Sequence, residues 1–284
     1  MTLKLLAASV TPLRDDGRKL DEDAIAPLVA FLERHGADGV FSCGTTGEGV
    51  LLGEAERRLA AEAFREAVAG TLIVHCGAQT TAESAALANH AASIGADGAA
   101  VIPPPYYPMD EDGLVEHFTA VAHACSPLPF YLYAFAARSG YKLTIPVVQR
   151  VRERCDNVAG LKVSESDMDD LRPYLELGVS VFVGSEPLIP QALEAGGAVG
   201  SVSGLAAAFP ETVADVLHAR VDDGPARLTA LRGALGVVSF IPALKVALGL
   251  RGVPVRPDVR APLRPIDATR RAAVEQLVAA VPTG

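Results

Sequence analysis

The sequence contains no tryptophan, no C-x-x-C pair, no H-E-x-x-H spacing and no G-x-G-x-x-G turn. Cys43, Cys76, Cys125 and Cys155 lie far apart, so they read as reduced, mostly buried thiols. The six histidines, His35, His75, His90, His117, His123 and His218, are spread as thinly, which argues against metal catalysis. No apolar run approaches the roughly 20 residues that span a bilayer. Pro12 and the charges after it interrupt the short apolar opening MTLKLLAASVTPLRDDG, so no secretory signal is expected and a cytoplasmic location follows as the default. Basic residues are also in deficit: 25 Lys and Arg against 34 Asp and Glu give a net charge of -9, which argues against a nucleic-acid or anionic-membrane partner.

What the chain does contain is an alternation. Short β-branched runs end in Gly- or Pro-marked turns and give way to longer stretches rich in Ala, Leu and Glu. The strand candidates are LLAASVTPL, GVFSCGTTG, LIVHCGAQ, GAAVIPPPYY, PFYLYAF, VAGLKVSE, VSVFVGSE and AVGSVSGLA. Between them lie helical patterns that stop at Gly36, Gly70, Gly95 and Gly178, where left-handed caps are expected. GADG occurs at residues 36–39 and again at 95–98, each time just before a strand, as an α-to-β turn requires. Length alone suggests two domains, but single α/β barrels reach this size. Eight such units predict an α/β fold, a TIM (β/α)8 barrel over residues 1–208, with a C-terminal helical extension over 209–284 packed on it. A doubly wound open sheet is the competing topology, and the missing G-x-G-x-x-G turn counts against it.

In a TIM barrel the chemistry sits where the strands finish. Those ends carry Thr45 and Thr46 in GTTGEG, Tyr106 and Tyr107 after three prolines, Tyr133 with Arg138 beyond it, Lys162, the run Gly184, Ser185 and Glu186, and finally Ser201 and Ser203. No carboxylate pair suited to glycoside hydrolysis appears among them, nor a histidine placed as a general base. Lys162 is out of place in an apolar run, because a buried ammonium is costly. A desolvated lysine has its pKa lowered, and the neutral amine attacks a ketone to form a Schiff base, an electron sink that needs no metal. Tyr133, one strand over, is placed to move protons. The GTTGEG turn offers backbone N–H groups and hydroxyls to a small carboxylate, and Arg138 offers a bidentate donor to a second one.

Plainer readings exist for each residue. Lys162 can snorkel to solvent, GTTGEG can be an ordinary turn with Glu48 favouring a helix start, Tyr106 and Tyr107 can be packing residues, Arg138 a surface arginine and Glu186 a solvated loop acid. The lysine and the anion cradle reinforce each other because both fall on one face.

These residues resemble a family as a set. TPLRDDGRKLD, GTTGEGVLLGEAER, PPPYYPMDEDGLVEHF, YAFAARSGYKLT, GLKVSESDMDDL, VFVGSEPLIPQALEAGGAVGSVSG and ALKVALGLRGVPV follow, in order, the pattern of the dihydrodipicolinate synthase and N-acetylneuraminate lyase family of pyruvate-dependent class I aldolases. The resemblance covers nearly the whole chain. It implies a TIM barrel with C-terminal helices, commonly a homotetramer built as a dimer of dimers, and no cofactor beyond the covalent imine at Lys162. It also implies that Tyr133 is the acid/base phenol, that Thr45 and Thr46 hold the keto-acid carboxylate, with Thr45 linking Tyr133 to a second tyrosine, and that Tyr107 is lent to the neighbouring protomer's site. Arg138 matches the arginine that meets the aldehyde's carboxylate in the synthase branch. Substrate contacts are expected from Thr46, Gly47, Arg138, Gly184, Glu186, Gly200 and Ser201.

The sequence departs from the family at three places. Ala134, Phe135 and Ala136 follow Tyr133 where Y-N-x-P is usual, GSEP stands where lysine-pathway synthases carry a Gly-Asp-Asp type sequence, and Pro187 occupies the position where sialic-acid lyases have an acid. ARSGYKLT nevertheless resembles the lyase branch. The expected activity is therefore a Schiff-base lyase or aldolase acting on pyruvate or a 2-keto(-3-deoxy) acid. The alternatives are 4-hydroxy-tetrahydrodipicolinate synthase, which condenses pyruvate with aspartate semialdehyde, a 2-keto-3-deoxy acid dehydratase, or a non-catalytic keto-acid-binding paralogue.

Overall fold

Alternation of strand and helix produces a closed, all-parallel barrel. The computed structural model describes residues 2–220 and 223–280. The strands are β1 (Lys4–Ala8), β2 (Gly39–Ser42), β3 (Thr71–His75), β4 (Gly98–Val101), β5 (Phe130–Ala134), β6 (Val158–Val163), β7 (Ser180–Val183) and β8 (Ala198–Ser203). Each pairs with its sequence neighbours, and β1 closes the ring against β8 with Lys4 opposite Gly200 and Ala7 opposite Ser203. The outer layer is α1 (Ile25–Arg34), α2 (Glu54–Ala67), α3 (Thr81–Ser93), α4 (Glu111–Cys125), α5 (Ile145–Arg154), α6 (Met168–Leu175), α7 (Ile189–Ala195) and α8 (Pro210–Leu217). Because α8 packs on β1 and β8, the barrel's last helix lies beyond the expected boundary at 208/209. The extension proper is α9 (Gly224–Val237), α10 (Phe240–Leu250) and α11 (Ala268–Ala280). No single helix among the described residues is long and apolar enough to cross a membrane.

Strands covered on both faces explain the continuous apolar runs. Leu6, Ala8, Phe41, Ile73, Ala100, Tyr133, Phe182 and Val202 fill the barrel interior, while their neighbours Leu5, Ala7, Val40, Leu72 and Leu132 join the larger layer under the helices. All four cysteines are buried and free.

Both GADG turns work in the same way. Asp38 accepts a hydrogen bond from Leu5 N–H at 2.8 Å, and Asp97 accepts one from Leu72 N–H at the same distance, so each aspartate ties the adjoining strand to the turn. Gly36, Gly95 and Gly178 adopt the expected positive φ. Gly70 does not: it is needed because a Cβ there would meet the Asp38 carbonyl oxygen at 2.2 Å. Close approach of two turns, not a left-handed cap, explains that glycine.

The extension is joined to the barrel mouth by a buried ion pair. Lys245 of α10 reaches Glu48 of the GTTGEG turn at 2.5 Å, and neither side chain has any solvent exposure. Further contacts hold the pair: Lys245 donates to the Asp258 carbonyl at 2.6 Å, and the second Glu48 oxygen accepts from Arg260 N–H at 2.6 Å. Glu48 is thus a buried tether, correcting its reading as a helix-start acid; α2 begins six residues later, at Glu54. Removing one partner leaves an uncompensated buried charge, so Lys245→Met is expected to cost about 3–5 kcal/mol in urea unfolding. Adding Glu48→Gln is expected to recover much of that loss, and a double-mutant cycle measures the coupling.

Candidate active site

At the C-terminal ends of the strands lies a cavity of about 460 Å³, walled by strand ends on one side and by the corner between α9 and α10 on the other. Lys162, Tyr133, Thr45, Thr46, Arg138, Gly184 and Glu186 all line it. The strand register brings the first two together, since Tyr133 of β5 lies directly beside Lys162 of β6.

Lys162 is 5% exposed, and its Nζ sits 4.1 Å from the Phe41 ring centroid and 4.3 Å from that of Tyr133. The amine is held against two aromatic faces inside the barrel instead of snorkelling to solvent. Burial pulls its pKa below the ordinary lysine value, and the neighbouring Tyr133 and Glu186 partly oppose that pull. Beneath Tyr133, His75 meets the phenol ring edge-on with centroids 5.9 Å apart. Its Nδ1 lies 3.2 Å from the Cys43 carbonyl, the geometry of an Nδ1–H tautomer. Burial, with Arg57 and Lys162 nearby, drives the His75 pKa well down, so this histidine is neutral and does not line the cavity.

The threonine turn is compact. Cys43 and Glu48 are both left-handed, and Gly49 backs so closely onto Cys43 that a Cβ would meet its carbonyl oxygen at 1.8 Å. Such strain in non-glycine residues persists only where surrounding contacts enforce it, here the Glu48 tether. Thr45 Oγ1 lies 3.5 Å from the Tyr133 hydroxyl. Gly47 is structural: its carbonyl accepts from the Thr11 hydroxyl at 2.6 Å, and it does not line the cavity.

Past β5 the chain makes one helical turn, Ala136–Ser139, that carries Arg138. Glu165 accepts from Ala136 N–H at 3.0 Å, and the Ser139 hydroxyl donates to the Tyr141 carbonyl at 2.6 Å, which fixes the turn without proline. Phe135, the departure from the family pattern, lines the cavity and lies under the Arg138 guanidinium at 5.6 Å.

Glu186 is 1% exposed, so the solvated-acid reading fails. One of its oxygens accepts from the Ser203 hydroxyl at 2.8 Å and from Leu205 N–H at 2.9 Å; the other lies 3.6 Å from Arg232 of α9. Gly184 is required by crowding, because a Cβ there would meet Ser164 Oγ at 2.0 Å.

Two expected strand-end contacts fall elsewhere. Gly200 lies at the β1 seam, where a Cβ would strike the Lys4 carbonyl oxygen at 2.0 Å, and the Ser201 hydroxyl donates to the Val183 carbonyl at 2.8 Å. Val202 and Gly204, nearer the C-terminal end of β8, line the cavity instead. Tyr107 is 75% exposed, outside its own cavity, and packs edge-on against Tyr106 at 4.9 Å. Sequence reasoning missed Arg232, Ser239 and Phe240, which complete the wall from the extension; an arginine in an Ala/Leu helix that also holds Arg227 carries no signal of its direction.

The depressed Lys162 pKa has a stability consequence. At pH values below its folded-state pKa the amine is charged in both states and its burial is fully unfavourable; the penalty fades as pH rises to the ordinary value of 10.5. Lys162→Met is therefore expected to raise Tm near neutral pH, with a gain that shrinks at alkaline pH, as thermal melts at several pH values will check. An unchanged Tm would mean that water reaches the amine.

The profile of the dihydrodipicolinate synthetase family matches residues 1–281. An uncharacterized DapA-like lyase of Halobacterium salinarum is 35% identical over 272 residues, covering 92% of this chain and 88% of that one. Among solved structures, a prophage protein of the dihydrodipicolinic acid synthase family from E. coli K12, in complex with pyruvate, superposes with a TM-score of 0.90 at 26% identity, over 98% of this chain and 97% of that one. The N-acetylneuraminate lyase of Proteus mirabilis superposes with a TM-score of 0.87 at 28% identity, over 97% and 98%. The chain belongs to the dihydrodipicolinate synthetase family and is a lyase of the class I aldolase type.

Proposed function

We propose that this protein forms a Schiff base between Lys162 and pyruvate or another 2-keto acid, and makes or breaks the adjacent carbon–carbon bond of a 2-keto(-3-deoxy) acid. The observation that carries the reading is the Lys162 amine, desolvated between Phe41 and Tyr133 at the floor of the mouth cavity. The pyruvate complex of the E. coli relative supports the choice of keto acid.

The proposed steps use the residues that line the cavity. Thr45 and Thr46 receive the carboxylate. The neutral amine adds to the ketone carbon to give a carbinolamine, and Tyr133 donates a proton to the departing hydroxyl as water leaves. In cleavage, the iminium takes up the electron pair of the broken carbon–carbon bond while Tyr133, relayed by Thr45, accepts the proton of the substrate hydroxyl. In synthesis the same steps run in reverse. The iminium supplies the electron sink, so the proposal invokes no metal or other cofactor. Tyr107, exposed on its own protomer, is assigned to the neighbouring protomer's site in a homodimer or homotetramer.

Arg138 favours a second reading, the condensation of pyruvate with aspartate semialdehyde. Its guanidinium faces the cavity and has no carboxylate partner among the described residues, which suits an acidic aldehyde.

Treatment with pyruvate and borohydride, followed by peptide mapping, is expected to place a stable adduct on Lys162 and none in Lys162→Met; a folded wild type without adduct would overturn the imine. Tyr133→Phe is expected to lower kcat by about 10²–10⁴-fold while still forming some adduct. Full turnover in that variant would remove the phenol from the mechanism.

A further inference from the structure

One buried polar side chain stands between the parts of the imine site without lining its cavity. His75 closes β3, two residues beyond Ile73 and therefore on the same inward face of the strand. With Phe41 and Tyr133 it makes a triangle of rings: its centroid lies 6.1 Å from that of Phe41 and 5.9 Å from that of Tyr133, and the latter two are 6.0 Å apart. Phe41 and Tyr133 are the two rings that face the Lys162 amine, so His75 packs on the same pair that flanks the nucleophile. Its contact with Tyr133 is edge-on, an arrangement that aromatic rings favour.

The same imidazole reaches the threonine turn. A carbonyl only accepts, so Nδ1 carries the proton and donates to the Cys43 carbonyl at 3.2 Å. Cys43 is left-handed, with φ 56°, and stands two residues before Thr45, so this bond holds the strained entry to the turn. His75 is anchored from behind by the buried Arg57 of α2, which donates to the His75 carbonyl at 2.7 Å and to the Gly77 carbonyl at 3.0 Å. The other ring nitrogen is idle. Nε2 is buried with no hydrogen-bond partner among the described residues, and a Cβ at Gly77 would come within 2.9 Å of it. An unpaired buried acceptor is a cost that phenylalanine or leucine would avoid, so packing alone does not account for an imidazole here. Burial, with the Arg57 and Lys162 charges nearby, keeps the ring neutral.

We infer that His75 is a positioning residue of the imine site, its Nδ1–H fixing the turn that presents Thr45 and Thr46 and its ring edge fixing the Tyr133 phenol beside Lys162. The threonines follow β2 and the phenol belongs to β5, and one side chain on β3 sets the two against each other. His75 exchanges no proton with the substrate, because it lies outside the cavity. The inference rests on the Schiff-base reading, which says what is being positioned.

Two substitutions separate the two contacts. His75→Asn keeps a side-chain N–H near the Nδ1 position and removes the ring, whereas His75→Phe keeps a ring and removes the donor. Borohydride trapping on Lys162, followed as a rate over a range of pyruvate concentrations, gives a half-saturating concentration and a limiting rate for each protein. Loss of one neutral hydrogen bond behind the threonine turn predicts that His75→Phe raises half-saturation about three- to tenfold while the limiting rate stays near that of the wild type. Release of the phenol predicts that His75→Asn lowers the limiting rate about tenfold while half-saturation stays nearly unchanged. Wild-type values of both quantities in both variants would overturn the inference. Equal loss of both quantities in the two variants would also overturn it, as the mark of a residue that only packs. Thermal melts identify a variant that has lost its fold, and the other variant then decides through its own half of the split. A wild type without adduct would overturn the Schiff-base reading and this inference with it, whereas unchanged variants beside a wild type that traps normally would overturn this inference alone.

Discussion

A closed barrel fills its interior with apolar side chains, and one amine is buried among them here. Lys162 occupies an interior strand position between residues that are otherwise apolar or aromatic, with Phe182 opposite it on β7 and Tyr133 on β5. An ammonium at that position is disfavoured, so the fold itself works against protonation of the amine and toward its nucleophilic form. In the proposed reaction, the same desolvation that lowers stability supplies the reactivity, an exchange common at active sites. The aromatic faces of Phe41 and Tyr133 moderate it by offering weak electrostatic contacts in place of hydration.

Around that amine the labour is divided by origin. The ends of β1, β2, β5, β6, β7 and β8 supply Ala8, Thr45, Tyr133, Lys162, Gly184 and Val202 to a common mouth. The turns beyond them set the walls, and the helical extension completes the cavity with Arg232, Ser239 and Phe240. The Lys245–Glu48 pair makes this extension part of the machinery of the mouth. It joins α10 to the turn carrying both threonines, so the position of that turn depends on a helix far away in sequence. The strained backbone of Cys43 and Glu48 persists because that buried pair enforces it.

The fold was legible because two periodicities are hard to confuse: eight short apolar runs bounded by turn residues, and helices between them. The reacting residues were legible for a related reason. A lysine in an apolar strand and a Gly-Thr-Thr-Gly turn are locally improbable unless they serve something. Errors arose where local pattern and three-dimensional register part. Gly200 and Ser201 look like strand-end residues, yet β8 runs on to Ser203, and Val202 and Gly204 reach the cavity instead. Glu186 reads as a loop acid, but Ser203, Leu205 and Arg232 surround it. Gly70 reads as a cap, and serves a close approach to Asp38.

Sequence alone determined the architecture and the strand ends at which the lysine, the phenol and the threonines of the proposed site stand. These depend on spacing along one chain. Tertiary structure alone decided which long side chains fold back onto that face. Arg232 and Lys245 sit in helices whose composition is indifferent to direction, and only packing of the extension against the mouth turns one toward the cavity and buries the other against Glu48. A charge acquires its role from its neighbours, and those neighbours belong to other elements: Glu48 of the turn after β2 for Lys245, and Glu186 beyond β7 for Arg232.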